Sequence, residues 1–412
     1  MIWLLQLFIV SLFLRSNAYI GNTAFSLMNI LNVLVLFYLI FINKQKINKG
    51  FSIVLYSFFI FFLIEFLYLV FYYRCIEQVV EFYYSSFIFS TFLLVYYVVK
   101  YDYERFIKIT FKTVFFIYLV MFFLVLYELI TLNHLPGSKA GIEEGFKLFP
   151  TAFFHNPNDF AVVVVMFYPV IYYFFRILKC KVKFTILSIL TLFFVLATMS
   201  RLALILLVIF PFFLLFIHNK IKYLFFISAF FFSLFFILIK VDFNYLSLNN
   251  ELLQTNVNKI ITIFKSFDDD GHLTEQGSSI ITNVRFKMYQ FVFDDPTSFI
   301  FGKGFIASEV FFKNNLIPIP NPHSYWVEII FNFGLLGLVP MLFVFCWLFF
   351  VAFTKIKKHY FFRLVIVQLI YFIILVHVPS SILSLHVCWI PLAITVALLF
   401  NFKEQENKFL LS

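Results

Sequence analysis

The sequence predicts an all-α polytopic membrane protein, with about 12 transmembrane helices and one large extracytoplasmic loop carrying short helices. Three observations predict that class. Apolar runs of about 20 residues, the length needed to cross a hydrocarbon layer, recur from one end of the chain to the other. Lys and Arg alternate between crowded and sparse connections joining those runs. Only one stretch, about 240–323, is both long and hydrophilic, so residues 1–412 read as a single integral membrane domain with that loop inside it. A composition of 63% hydrophobic and 13% charged residues, with a mean hydropathy of +0.97, excludes an ordinary soluble domain.

In order, the expected spans lie at roughly 2–19, 24–42, 51–72, 82–99, 113–131, 160–176, 184–200, 202–217, 223–239, 324–353, 361–377 and 382–401. The first is the weakest, because Arg15 and Asn17 leave an unbroken apolar run only from Ile2 to Leu14. No basic segment precedes it and no clear small-residue cleavage site follows, so it reads as a helix rather than a signal peptide. Cys75, Cys180, Cys346 and Cys388 have neither paired nor CxxC spacing, which argues against a disulfide framework or a zinc site.

The basic residues give the sidedness. With the N-terminus inside, 19 of the 31 Lys and Arg fall in cytoplasmic connections and at the C-terminus, from Lys44 and Lys46 through Lys355, Lys357 and Lys358 to Lys408. Only 5 fall in the short outer loops: Arg15, Arg74, Lys139, Lys147 and Arg201. The other 7 lie in the long loop, which the positive-inside rule exempts. Both termini are therefore expected in the cytoplasm, and the net charge of +10 reports topology rather than nucleic-acid binding.

Two outer loops stand out. The shorter, about 132–159, holds Pro136-Gly137 and the turn Asn156-Pro157-Asn158-Asp159. The longer carries helix-period patterns at about 251–266 and 279–293. It ends in Pro318-Ile319-Pro320-Asn321-Pro322-His323, where alternating prolines forbid a helix and deliver a histidine to the start of an apolar run. From Ser324 the pattern turns helical, placing Ser324, Glu328 and Asn332 on one face.

A few polar residues at the outer face carry the chemistry. Arg201 sits between two apolar runs with hardly any loop, where a positive charge is costly without an anionic partner. Arg285 lies in the second amphipathic pattern of the long loop, and Gly302-Lys303-Gly304 follows, with amides that would suit an anion. Glu65 and Glu128 fall within spans, each a functional carboxylate or the partner of a buried Arg. Asp268 and Asp270 form a DxD pattern, more often simply solvated in a loop of this kind. Arginine donates in pairs to phosphate and stays charged, while histidine takes a proton from a hydroxyl near neutral pH. Two arginines, a histidine and carboxylates on one face, with no metal cluster, fit metal-independent transfer from a phosphate leaving group to a sugar hydroxyl.

Ser200-Arg201, the Arg285…Gly302-Lys303-Gly304-Phe305 segment and His323-Ser324-Tyr325-Trp326-Val327-Glu328…Phe333-Gly334-Leu335-Leu336-Gly337 together resemble the O-antigen ligase/polymerase superfamily. The Phe154-His155-Asn156-Pro157-Asn158 turn is similar to one in capsular and teichuronic-type polysaccharide polymerases of Gram-positive bacteria. The resemblance implies a polymerase of undecaprenyl-diphosphate-linked repeat units at the outer face of the bacterial cytoplasmic membrane. In that reading Arg201 and Arg285 hold the donor's diphosphate, and His323 activates the acceptor hydroxyl for inverting displacement. Glu328, Ser324, Glu65, Asn156 and Asn158 support the site. No cofactor or metal is implied. The implied partners are lipid-linked donor and acceptor glycans, membrane lipids, and a chain-length regulator and flippase of the same pathway. Ser324 and Leu202 depart from the family's usual Asn after the histidine and small residue after the first arginine. The alternatives are a ligase moving a finished glycan, a polysaccharide flippase, and a metal-dependent glycosyltransferase using Asp268 and Asp270.

Overall fold

The structure is a computed structural model. It describes residues 2–15, 34, 37, 46–71, 76–135, 138, 147–218, 296–304, 324–377 and 385–409. Every described long segment is helical, as expected: α1 (Ile2–Arg15), α2 (Lys49–Phe71), α3 (Ile76–Tyr101), α4 (Tyr103–Thr131), α5 (Pro157–Leu178), α6 (Lys181–Thr198) and α7 (Arg201–Ile217) come first. After the short α8 (Pro296–Phe301) follow α9 (Tyr325–Thr354), α10 (Tyr360–Leu375), a 3-10 turn at His386–Cys388, and α11 (Trp389–Phe409). Among the described residues α2, α4, α5, α6 and α9 are long and apolar enough to span a membrane, and the shorter α7 and α10 are also apolar. The protein is an all-α polytopic membrane protein. The expected runs 24–42 and 223–239, and the two helix-period patterns of the long loop, lie outside the described residues.

Two expectations need correction. Within the last run, 382–401, the described α-helix begins only at Trp389, after the 3-10 turn. The run 324–353 is not one continuous helix either. Ser324 is its extended N-cap, and Gly334 interrupts it with φ +60° and ψ −156°. The expected polar stripe therefore reduces to Glu328 and Asn332 on the helix itself.

The bundle is organised around α5 and α11. In α5, 72% of the apolar window is buried, against 33–44% in the other long spans, so it has little surface left for lipid. Trp389 at the head of α11 is fully buried and packs on Phe58, Phe92, Tyr325 and Phe372. The rich supply of Phe thus forms the core as well as the lipid face, where Phe116, Phe123 and Phe350 are exposed. Among the described helices α5, α7 and α9 have an interior proline, and in α5 and α7 a nearby carbonyl is taken by a side-chain donor from another helix. Around Pro169 in α5, Tyr118 Oη donates to the Val164 carbonyl at 3.0 Å and Gln368 Nε2 to that of Met166 at 3.1 Å. Near Pro211 in α7, Tyr371 Oη donates to the Leu206 carbonyl at 2.6 Å. Proline deletes a helical N–H, which would free the carbonyls of Val165 and Leu207; the side-chain donors reach the carbonyls next to these.

The packing of the described helices gives the bundle two ends. One gathers Lys46, Lys49, Lys100, Lys179, Lys181, Lys355, Lys357 and Lys358. The opposite end gathers the end of α4, the starts of α5, α7 and α9, and the 3-10 turn. The candidate site lies there.

Candidate active site

The break in α9 is the local feature from which this end is built. After α8, Gly302 and Gly304 take φ +72° and +91° and bring the chain against the interrupted helix. Lys303 N donates to the Phe331 carbonyl at 2.9 Å, and Gly304 N to that of Asn332 at 2.8 Å. In a continuous helix those carbonyls would bond the amides of Leu335 and Leu336, so this segment replaces what the break removes. The approach is close enough to require glycine on both sides. A Cβ on Gly302 would meet the Asn332 carbonyl and the Phe333 amide at 2.5 Å, and one on Gly334 would meet the Ile300 carbonyl. The expectation that the amides of this segment are exposed for an anion is therefore overturned for Lys303 and Gly304, which are hydrogen-bonded to α9.

Beside the break lies a buried polar cluster. Glu65 of α2 accepts from Ser85 Oγ of α3 at 2.8 Å, with both residues buried. Tyr325, 1% exposed, lies within electrostatic range of Glu65 and Glu328. Glu328 and Asn332, one helical turn apart, are also buried. Tyr325 Oη and Asn332 Oδ1 have no hydrogen-bond partner among the described residues. A buried acceptor left this way costs about 1–3 kcal/mol. The cluster is oxygen-rich and suits a cationic or hydroxyl-bearing group. Rings fix its walls, with Phe333 edge-on to Phe61 and Tyr68, and Tyr325 edge-on to Trp389.

Ser324 pairs with a histidine that the sequence pattern did not single out. Its Oγ lies 2.8 Å from His377 Nδ1, and the amide of Tyr325 donates to the Val376 carbonyl at 3.1 Å. The start of α9 is thereby fastened to the end of α10. His386 is buried, against the Phe87 ring, whereas His377 is half-buried. Neither histidine stands in a recognisable motif, and each is brought in by helix packing alone.

The shorter outer loop is held by Glu128 near the end of α4. Its Oε2 accepts from the amides of Thr151 and Ala152 at 2.8 and 2.9 Å, and its Oε1 from Thr151 Oγ1 at 3.2 Å. His134 Nδ1 lies 3.5 Å from Oε1, and Nε2 donates to the Lys147 carbonyl at 2.7 Å. Burial pulls the His134 pKa down, but hydrogen bonding to Glu128 and to the Lys147 carbonyl outweighs it, so the pKa is raised. Among the described residues Glu128 thus anchors a loop rather than pairing with an arginine. Asn156 is the N-cap of α5: its side chain accepts from the amide of Asn158 at 2.8 Å, and Pro157 opens the helix. Asn156 and Asp159 are buried and Asn158 is partly exposed.

Arg201 opens α7, after Met199 has closed α6 with a left-handed φ of 53°. It is exposed, and among the described residues it makes no hydrogen bond or ion pair. A cation in the first turn opposes the helix dipole, so the position is unfavourable unless something anionic comes to it. His323, Arg285, Asp268 and Asp270 lie outside the described residues. Glu65 and Glu328 come together around Tyr325, with Ser324 at the head of the same helix. Asn156 and Asn158 belong instead to the α5 cap. No group of three or more His, Cys, Asp or Glu among the described residues could hold a metal ion.

Residues 186–342 match the family model described as O-antigen ligase. The match runs from α6 through Arg201 and the break in α9, and it supports the O-antigen ligase/polymerase superfamily, whose function is glycosyl transfer involving lipid-linked glycans in a membrane. No curated protein and no solved structure matches the chain.

Proposed function

Taking the O-antigen ligase domain at residues 186–342 as premise, we propose that the protein polymerises undecaprenyl-diphosphate-linked oligosaccharide repeat units at the outer face of the cytoplasmic membrane. The positive-inside rule supports that sidedness: the lysine-rich end faces the cytoplasm with both termini, and the Arg201 end faces out. The observation that carries the reading is Arg201, an exposed guanidinium without a partner among the described residues, set within the matched domain at the end where basic residues are sparse.

Arg201 and Arg285 bind the donor's diphosphate, and His323 accepts the proton of the acceptor hydroxyl. The acceptor oxygen bonds to the anomeric carbon as the bond from that carbon to the diphosphate oxygen breaks. The electron pair leaves with the diphosphate, whose charge the arginines stabilise, and the anomeric centre is inverted. The step needs no metal. Glu65, Glu328 and Ser324 shape the acceptor side, and Asn156 with Asn158 fixes the neighbouring loop. A flippase and a chain-length regulator of the same pathway supply the substrate and limit the product.

His323→Ala and Arg285→Ala, at normal membrane levels, should abolish polymer; full activity of His323→Ala overturns the base assignment. The family description favours one second reading, a ligase that moves a finished glycan to another acceptor. A deletion strain separates the two. A polymerase leaves single repeats on the lipid carrier, whereas a ligase leaves long polymer on it.

A further inference from the structure

The lysine-rich end holds a cavity that the proposed reaction does not use. It has a volume of about 240 Å³ and lies between the start of α2, the end of α9 and the C-terminal part of α11. Asn48, Gly50, Trp347, Thr354, Lys355 and Phe400 line it, with Val351 and Leu399 at its base. Its frame is fixed by hydrogen bonds: the Asn48 amide donates to the Tyr96 hydroxyl at 2.8 Å, and Asn48 Nδ2 donates to the Phe400 carbonyl at 3.2 Å. Trp347 Nε1 donates to the Gly50 carbonyl at 3.2 Å.

We propose that this cavity binds the headgroup of an anionic phospholipid of the cytoplasmic leaflet. Charge is the first ground. Lys355 lines the cavity at the lysine-rich end, where the Gly50 amide is itself capped by Asn48 Oδ1 at 2.8 Å. The second ground is the continuity of its apolar side with the lipid face. Phe350, stacked on Trp347, is 59% exposed, so acyl chains can run up the helix from a headgroup held below. Trp347 is a residue type that favours this interfacial level. A soluble anion would use the charge but leave the apolar side without purpose. Basic pockets between spans on the cytoplasmic side are where anionic headgroups are held.

Trp347 provides the readout. The full-length protein is placed in vesicles of phosphatidylcholine with equal small fractions of either brominated phosphatidylglycerol or brominated phosphatidylcholine. Quenching is measured, and the signal of Trp347→Phe is subtracted to isolate Trp347. The brominated phosphatidylglycerol should quench more strongly. Lys355→Gln should reduce that preference about five-fold, corresponding to ~1 kcal/mol per lysine at an anionic surface, and Lys355→Arg should keep it. Val351→Phe, which fills the cavity from its apolar wall, should remove the preference with the charge intact. Equal quenching by the two lipids overturns the proposal, as does a preference that survives Lys355→Gln or Val351→Phe. Release of the quenching by soluble glycerol phosphate also overturns it, in favour of a water-soluble anion.

Discussion

At the lysine-rich end, side-chain donors turn onto backbone carbonyls. Lys100 Nζ reaches the Lys46 carbonyl, Asn48 Nδ2 that of Phe400, Trp347 Nε1 that of Gly50 and Arg363 Nη1 that of Ile217. At the opposite end the polar groups are acceptors or titratable side chains gathered around one another: Glu65 with Ser85, Ser324 with His377, Glu128 with the loop amides and His134. The first pattern ties separate helices to one another through the backbone. The second holds acids inside the bundle, keeps Tyr325 Oη and Asn332 Oδ1 buried without a hydrogen-bond partner among the described residues, and leaves Arg201 exposed. The costs concentrate at the end where the chemistry is proposed, which is where binding a substrate can offset them.

The comparison breaks most easily at Arg201. Arg201→Ala removes no hydrogen bond seen among the described residues, so membrane levels and melting should be unchanged while polymer formation falls about 10³-fold, equivalent to ~4 kcal/mol of transition-state stabilisation. Polymer near the normal level would make Arg201 a topology charge like those at the other end. Gly334→Ala comes next. It places a Cβ against the Ile300 carbonyl at φ +60°, and should cost about 3 kcal/mol in strain and in displacement of the Gly302–Gly304 segment. Melting and activity should fall together, whereas an unperturbed melt would show that the helix is not broken there. Glu128→Ala should cost about 2 kcal/mol, because two buried amides lose their acceptor. Proteolysis of the 132–156 loop should rise, with the transfer chemistry affected only in proportion. At the lysine-rich end Asn48→Ala should cost about 1 kcal/mol, the worth of a helix cap, and leave polymer length unchanged.

These contrasts also mark what the sequence could reveal. Span positions were legible because a run of about 20 apolar residues has few other uses. Glu65 and Glu328 were legible as acids inside such runs. The pairing of Lys303 and Gly304 with a broken α9 was not, since glycine is common in membrane helices and both segments must be seen side by side. For the same reason Gly302-Lys303-Gly304 read as an anion site when the amides of Lys303 and Gly304 are occupied by carbonyls. The Asn156-Pro157-Asn158 turn was visible as a turn, but its role as the cap of the most buried of the five long spans rests on where α5 packs. His377 lacked any signal because its partner Ser324 lies 53 residues away.

The weakest test concerns pH and separates the anchored loop from the catalytic groups. The raised pKa of His134 means that the folded protein holds this proton more tightly than the unfolded chain. Its contribution is fully present below the ordinary histidine value of 6.5 and is lost as the pH climbs through the raised folded value. Melting of the wild-type protein should therefore decline slightly over that interval, with earlier proteolysis of the 132–156 loop. In His134→Gln the decline should disappear, because the replacement carries no titrating charge to face Glu128. His323, as the proposed base, requires the opposite dependence of rate, with activity rising as its imidazole becomes neutral. Loop integrity and turnover would then move in opposite directions with pH, and His134→Gln should abolish the first trend while leaving the second. A rate profile that flattens in His134→Gln would transfer the titration to the loop and remove this support for His323.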